Sequence, residues 1–262
     1  MSSKHIHTFA IGDVHGRADL LKALLDEIDK KASRLVSTYR VVFLGDIIDR
    51  GPDSRKAMDL VARTLAEVPG SRLILGNHDS YALRIIDETN PFRKQALLLH
   101  WISQMGGAAT LASYGFKFKE ATLDVVAEVI DGEHIDMLRA AQHYFELEYH
   151  ILVHAGLEPG IPLQSQDPYK LMWIREPFLS YAETFGKTVV HGHTPVDTMW
   201  VQRFPNRIAI DTDAHVSGTL SALHVHPSGR VEVIQAQSVA GLIAVSHGEP
   251  MQTSQRKYPV SA

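Results

Sequence analysis

Three apolar runs in the first third of the chain each end in a glycine followed by a polar donor: HIHTFAI before Gly12-Asp13, YRVVFL before Gly45-Asp46 and RLIL before Gly76-Asn77. The glycines are 33 and 31 residues apart, the length of a strand–helix–strand unit. The intervening segments read as helices. Ala18–Ala32 places Leu20, Leu21, Leu24, Leu25 and Ile28 at helical spacing, and Pro52–Val68 follows with Asp53 or Ser54 near its start. Such alternation argues for parallel βαβ units in an α/β fold. A single Gly-Asp is a common loop dipeptide, but three at nearly constant spacing constrain the chain far more.

Ser80 to Gln142 is mostly helical with a break at Gly106-Gly107, and reads as an inserted helical cap. Strand character returns over Tyr144–Val153 and Lys187–Val190, with a loop and helix between Asp167 and Phe185. Short β runs between 197 and 237 (Trp200-Val201, Arg207–Ile210, Thr219–Val225, Val231–Ile234) suggest a second sheet. The polar stretch after Ala244 is expected to be a poorly ordered tail, about 245–262. With 262 residues, 45% hydrophobic, and no repeat or linker, the expectation is one domain over 1–262.

Bulk chemistry removes several functions. A net charge of −4 argues against a nucleic-acid binder. The absence of cysteine excludes disulfides, thiolate zinc sites and cysteine nucleophiles. The opening MSSKHIHTFAIGD lacks the apolar stretch of a signal peptide, and the apolar runs are strand length, so a soluble cytoplasmic protein without a membrane partner is expected. Oligomeric state is not readable.

Five strand-like runs end in polar clusters: GDVHG (12–16), GDIIDRG (45–51), GNHD (76–79), HAG (154–156) and HGHT (191–194). The carboxyl ends of parallel strands share one edge of a sheet, where ligands bind. Asp13, His15, Asp46, Asn77, His154 and His193 would meet there, and their oxygen and imidazole donors suit manganese, iron or zinc. Singly, each has a plainer explanation: Asp and Asn cap turns, and a lone histidine packs in a core. His191 is read as packing behind the site. His5, His7, His100, His134, His143, His150 and His247 are read as ordinary core or surface residues, and His224 and His226 as alternation in a surface strand. Arg17 and Arg93 are read as solvated, and Leu97, Leu98, Trp101 and Met105 as cap core.

The order GDxHG, GDxxDRG, GNH[DE], HAG and GHT resembles the PPP branch of the calcineurin-like metallophosphoesterases over roughly residues 6–220. The resemblance looks closest to small bacterial serine/threonine phosphatases, and symmetrical diadenosine tetraphosphate hydrolases share the signature. It implies an α/β sandwich of four layers, two mixed sheets flanked by helices, with the helical insertion above. It implies two divalent metals: Asp13 and His15 on the first, Asp46 bridging, Asn77, His154 and His193 completing the second. It further implies His78 as general acid, Asp49 as the carboxylate that orients it, and Arg50 and Arg175 as phosphate clamps. Trp173 would anchor the loop presenting Arg175.

Two positions depart from the family pattern. Leu75 stands where many members carry an arginine, and IDTDAH at 210–215 replaces a more usual IDTGAY, so that Asp213 and His215 are added near the metal rim. His215 is read as a possible phosphate or nucleophile partner. The leading expectation is a manganese-dependent phosphatase acting on phosphorylated protein. The second is hydrolysis of a dinucleoside tetraphosphate or other small phosphoester, with Tyr81, Phe92, Arg93, Lys94 and Trp101 as nucleotide contacts. The third is a non-catalytic phosphate-sensing domain.

Overall fold

In the computed structural model, which describes residues 6–35, 37–117 and 122–254, strand β1 (His7–Ile11) leads into helix α1 (Ala18–Ala32), β2 (Tyr39–Phe43), α2 (Ser54–Glu67) and β3 (Arg72–Leu73). His5 and residues 255–262 lie outside the described residues. The three strands pair in parallel, as the spacing of their glycines requires. Asp53 caps α2 by accepting the Lys56 N–H at 3.1 Å.

Helices then run through the expected insertion: α3 (Asn77–Asp87), α4 (Pro91–His100), a π-helical turn (Trp101–Met105), α5 (Gly107–Ser113), α6 (Val125–Val129) and α7 (Gly132–Arg139). The hairpin β4 (Tyr144–Glu146) and β5 (His150–Val153) precedes α8 (Pro168–Trp173), β6 (Thr188–His191), β7 (Gln202–Arg203) and β8 (Arg207–Ala209). The short α9 (Ala214–Ser217) leads into β9 (Thr219–Val225), β10 (Val231–Val239), β11 (Leu242–Gly248) and β12 (Met251–Gln252). No helix among the described residues is long and apolar enough to cross a membrane.

Two six-stranded mixed sheets result, ordered β11-β10-β9-β1-β2-β3 and β12-β7-β8-β6-β5-β4. This corrects two expectations. The β runs between 197 and 237 do not share one sheet: β7 and β8 join β5 and β6, whereas β9 returns antiparallel against β1 and β10 pairs antiparallel with β9. The segment expected as a tail from residue 245 is instead paired as far as Gln252, with β11 running along β10.

Alternation within the apolar strands explains the layering. Phe9, Ile11, Val41 and Phe43 face α1, α2 and the helical insertion. Their neighbours Ala10, Val42 and Leu44 face Leu152, Val190 and Ile208 of the second sheet. Ile151, Val153 and Val189 pack outward on Leu171, Ile174 and Phe178 around α8. Each fully buried Leu, Ile or Phe in these layers contributes roughly 1.5–3 kcal/mol through burial. The order is therefore helix, sheet, sheet, helix. The carboxyl ends of β1, β2, β5 and β6 come together because the sheets are stacked, not because one edge carries them all.

Candidate active site

Five non-glycine residues at these strand ends take left-handed backbone: His15 (φ 43°), Asp46 (50°), Asp49 (74°), Arg50 (69°) and His193 (63°). Each costs about 1–3 kcal/mol and persists only where its surroundings over-determine it. The surroundings do so here. The Val14 and His15 N–H groups both donate to the Asp46 carbonyl, at 3.0 and 2.8 Å. The buried Asp79 carboxylate accepts the Ile47 N–H at 3.0 Å and the Gly76 N–H at 3.3 Å, which braces the β2 turn. Two glycines are required by close approach: a Cβ on Gly76 would lie 2.2 Å from Asp46 Oδ1, and one on Gly192 would lie 1.9 Å from Asp13 Oδ1.

Asp46 is the common member of two groups whose ligating atoms lie within 4.8 Å of one another, His15–Asp46–His78 and Asp46–His154–His193. His15 Nδ1 donates to the Ile48 carbonyl at 2.9 Å and His154 Nδ1 to the Leu44 carbonyl at 2.8 Å. Both rings thus present an unprotonated Nε2 inward. Those nitrogens face oxygens: His15 Nε2 is 3.6 Å from Asp46 Oδ2, and His154 Nε2 is 3.5 Å from the same atom and 2.9 Å from Asn77 Oδ1. Lone pairs turned on one another are repulsive unless cations lie between them. His193 Nδ1 lies 2.8 Å from Asn77 Oδ1. Asp13 closes the other side, with Oδ2 accepting the His193 N–H at 3.0 Å and Oδ1 buried without a partner. The donor set and this bare oxygen fit divalent ions of the mixed-hardness class.

The electrostatics agree. Burial, then Asp211 and Asp46, pushes the Asp13 pKa well above the ordinary carboxylate value. Burial opposes ionisation of Asp46 too, but His154, His78, His15 and His193 together hold its pKa low. Burial, then His154, lowers His193 to about 3, which keeps the ring in its neutral, ligating form.

Beside this cluster, His78 Nδ1 donates to Asp49 Oδ2 at 2.8 Å, and its Nε2 accepts from Arg50 Nη2 at 3.1 Å. Burial works against a charged His78, yet Asp46 and Asp49 together raise its pKa. Asp49 is wholly buried and held from the helical insertion: Trp101 Nε1 donates to Oδ2 at 2.8 Å and Thr110 Oγ1 to Oδ1 at 2.7 Å. Sequence reading missed this. Trp101 is core, as expected, but its indole N–H is spent on Asp49. The signal was the Gly106-Gly107 break, which lets the insertion close on Arg50, whose N–H donates to the Gly106 carbonyl at 3.2 Å.

A cleft of about 230 Å³ opens over the cluster, lined by His15, Asp46, Asn77, His78 and His193, by Arg50 and Arg175, and by Trp173, His100, Gln104, Met105 and Pro195. The proposed nucleotide contacts are not there. Tyr81, Phe92, Arg93, Lys94 and Trp101 do not line the cleft; Phe92 is 82% exposed and Lys94 pairs with Asp124. His215 is not in the lining either; its ring meets that of His15 edge-on at 5.3 Å, with Nδ1 2.9 Å from Asp213 Oδ1. Arg17 is not solvated, since it donates to the Ala214 carbonyl at 2.9 Å. His191 packs behind the site against Phe178, as read.

Comparison with known proteins bears on this geometry. The family model for calcineurin-like phosphoesterases matches residues 6–211. The symmetrical bis(5′-nucleosyl)-tetraphosphatase of Nitrosomonas europaea is 32% identical over 155 residues, 58% of this chain and 46% of that protein. The asymmetrical bis(5′-nucleosyl)-tetraphosphatase of Oceanobacillus iheyensis is 27% identical over 208 residues, covering 71% and 76%. The chain spans less than half the length of the first relative. A solved structure provisionally described as a diadenosine tetraphosphatase superposes with a TM-score of 0.59 at 22% identity, over 88% of this chain and 97% of its own. A serine/threonine phosphatase from Saccharomyces cerevisiae gives 0.57 at 13% identity, over 96% and 82%. Both structures speak for the fold. The layered sheets, the clusters that share Asp46, and a family match over most of the chain lead to one conclusion: this chain belongs to the calcineurin-like phosphoesterases.

Proposed function

We propose that this chain hydrolyses a dinucleoside polyphosphate, or a small phosphate ester of similar charge, in the cleft over Asp46. The observation that carries the reading is the pair of donor groups sharing that aspartate, with two arginines lining the same cleft. Two divalent ions, manganese by preference, would be held by Asp13 and His15 on one side, by Asn77, His154 and His193 on the other, and by Asp46 between them. When bound, such ions polarise a phosphoryl oxygen and lower the pKa of a water.

The chain's own residues do the rest. Arg50 and Arg175 grip phosphate oxygens through planar forks. A phosphate in the cleft draws Arg50 off His78 Nε2. That nitrogen then holds a proton for the leaving oxygen, while Asp49 fixes the ring through Nδ1. Water adds to phosphorus and releases one proton to solvent, the bond to the leaving oxygen breaks, and the His78 proton goes to that oxygen and is regained from solvent.

The tetraphosphatase relatives support this substrate class over the phosphoprotein expected first. So does Leu75, which leaves one phosphate-binding cation absent where phosphoprotein phosphatases often carry one. A non-catalytic role would require loss of a donor or of His78, and this sequence retains them all. The test is a panel with Mn²⁺: diadenosine tetraphosphate, a phosphopeptide, a cyclic nucleotide and an aryl phosphate. Diadenosine tetraphosphate is expected to turn over fastest, giving ADP alone if cleavage is symmetrical and ATP plus AMP if asymmetrical. Phosphopeptide turnover exceeding it would restore the phosphatase reading.

A further inference from the structure

We propose that His7, His224 and His226 form a third metal site, for a borderline cation such as Zn²⁺ or Ni²⁺, at the opposite end of the first sheet from Asp46. One nitrogen of each ring lies within 4.8 Å of the others. The register explains the convergence. Phe9 pairs with His224 across β1 and β9, so His7, two residues before Phe9, lies on the same face beside His226. His7 Nδ1 lies 2.8 Å from His224 Nε2, and the His224 and His226 rings stack at 4.0 Å. From His7 to Asp13 the chain runs six residues, or about 20 Å of strand, which sets this cluster apart from the active site.

The sequence reading placed His224 and His226 on a surface strand, but the strand is covered by α1 and His224 is wholly buried. Its Nδ1 has no hydrogen-bond partner, an unfavourable state for a buried polar atom. Glu232, opposite His224 on β10, lies 3.6 Å from that nitrogen and 3.4 Å from His226 Nε2. A small closure would make it the carboxylate that receives the outer N–H of a ligating histidine. The three rings are in the form a metal needs. Burial is the first cause lowering the pKa of each, to about 3 for His224, with His226 repelling the other two. The cations nearby are Lys31 and Arg230, 2.7 and 2.6 Å from Glu232, so their charge is partly answered before an ion arrives. Three imidazoles without a hard oxygen ligand select zinc, nickel or copper over the manganese suited to the Asp46 cluster.

A metal here would staple β1 to the end of β9. The test uses the full chain without an affinity tag, stripped with chelator, reloaded with excess Mn²⁺, then equilibrated with Zn²⁺ and counted by elemental analysis. Three ions per chain are expected, with a Zn²⁺-dependent rise in melting temperature on the order of 3–5 °C at constant Mn²⁺. The doubly substituted His7→Gln, His226→Gln chain should hold two ions and lose that rise, while its Mn²⁺-dependent hydrolysis stays within about twofold of the parent. A parent count of two with saturating Zn²⁺ overturns the proposal whether or not the variant folds. So does a variant that folds and shows the parent's count and shift. Neither result depends on which substrate the Asp46 site takes.

Discussion

The first sheet carries a histidine cluster at each end, and the two differ in how their carboxylate is answered. Glu232 is met by Lys31 and Arg230 within 3 Å. Asp46 has no lysine or arginine within 4 Å among the described residues; its Oδ1 accepts the His78 N–H at 2.9 Å and its Oδ2 faces the His15 and His154 rings. The backbone differs as well. The Asp46 end holds five non-glycine residues in left-handed conformation, whereas His7, His224 and Glu232 sit in regular strand and His226 directly follows β9 without a left-handed backbone. A carboxylate without a lysine or arginine partner, on strained backbone, marks the end whose donors suit divalent ions. At the other end the carboxylate is paired with cations on regular backbone.

The sharpest way to break that contrast is Asp46→Asn. If Asp46 joins both groups, the variant should lose Mn²⁺ from both and fall in kcat by at least ~10³-fold, since two dications at about 3.5–4 Å need a shared anion. Full metal content with normal turnover would end the bridging reading. His78→Asn should cost about 100-fold on a substrate with an alkoxide leaving group. On a dinucleoside tetraphosphate, whose leaving phosphate oxygen is far less basic, the cost should be nearer about tenfold. Equal losses on both substrates would leave His78 a positioning group only.

Trp101→Phe keeps most of the buried ring and deletes one hydrogen bond to Asp49 Oδ2. A hydrogen bond to a charged group contributes about 1.5–3 kcal/mol, so kcat should fall on the order of tenfold, with KM little changed. A parallel fall in melting temperature with kcat intact would make Trp101 a structural residue alone.

Trp101 also shows where sequence reading stops. Periodicity reported that its side chain is buried, which is correct, but says nothing of where an indole N–H points. The strand ends were legible for the opposite reason: Gly12, Gly45 and Gly76 each mark a turn, and the donor follows in the next residue. Helices α1 and α2 were legible because apolar spacing and one buried face express the same fact. The division into sheets was not. Thr219–Val225 and Arg207–Ile210 are equally β-rich, and nothing local says that the first turns back antiparallel on β1 while the second lies beside β6. The strand after Ala244 was missed because half of it is an exposed edge, where alternation is weak. His215 follows the left-handed turn at Asp213 (φ 56°), which brings its ring edge-on to that of His15, a placement that no local pattern in the sequence states.

The smallest expected effect tests the relaxed end. Glu232→Gln, studied with Mn²⁺ and without zinc, removes the anion that holds Lys31 and Arg230. Glu232 is a partly exposed group, its side chain 22% accessible, and Arg230 is 60% exposed, so screening limits the loss to about 0.5–1 kcal/mol at neutral pH. The pH dependence fixes its origin. Burial opposes the charge, but Lys31, His226 and Arg230 lower the Glu232 pKa to about 2 from an ordinary 4.5. A depressed carboxylate contributes stability that is fully present above its unfolded pKa and is lost as pH falls through the folded one. Parent and variant should therefore differ by a constant amount above pH 4.5 and converge between there and about pH 2, followed by denaturant melts. Turnover should stay within about twofold throughout the range where both are folded, because about 20 Å of strand separates Glu232's cluster from Asp13. A tenfold change in kcat would mean that the two ends are coupled through β1, and that the calm end of the sheet takes part in the work of the strained one.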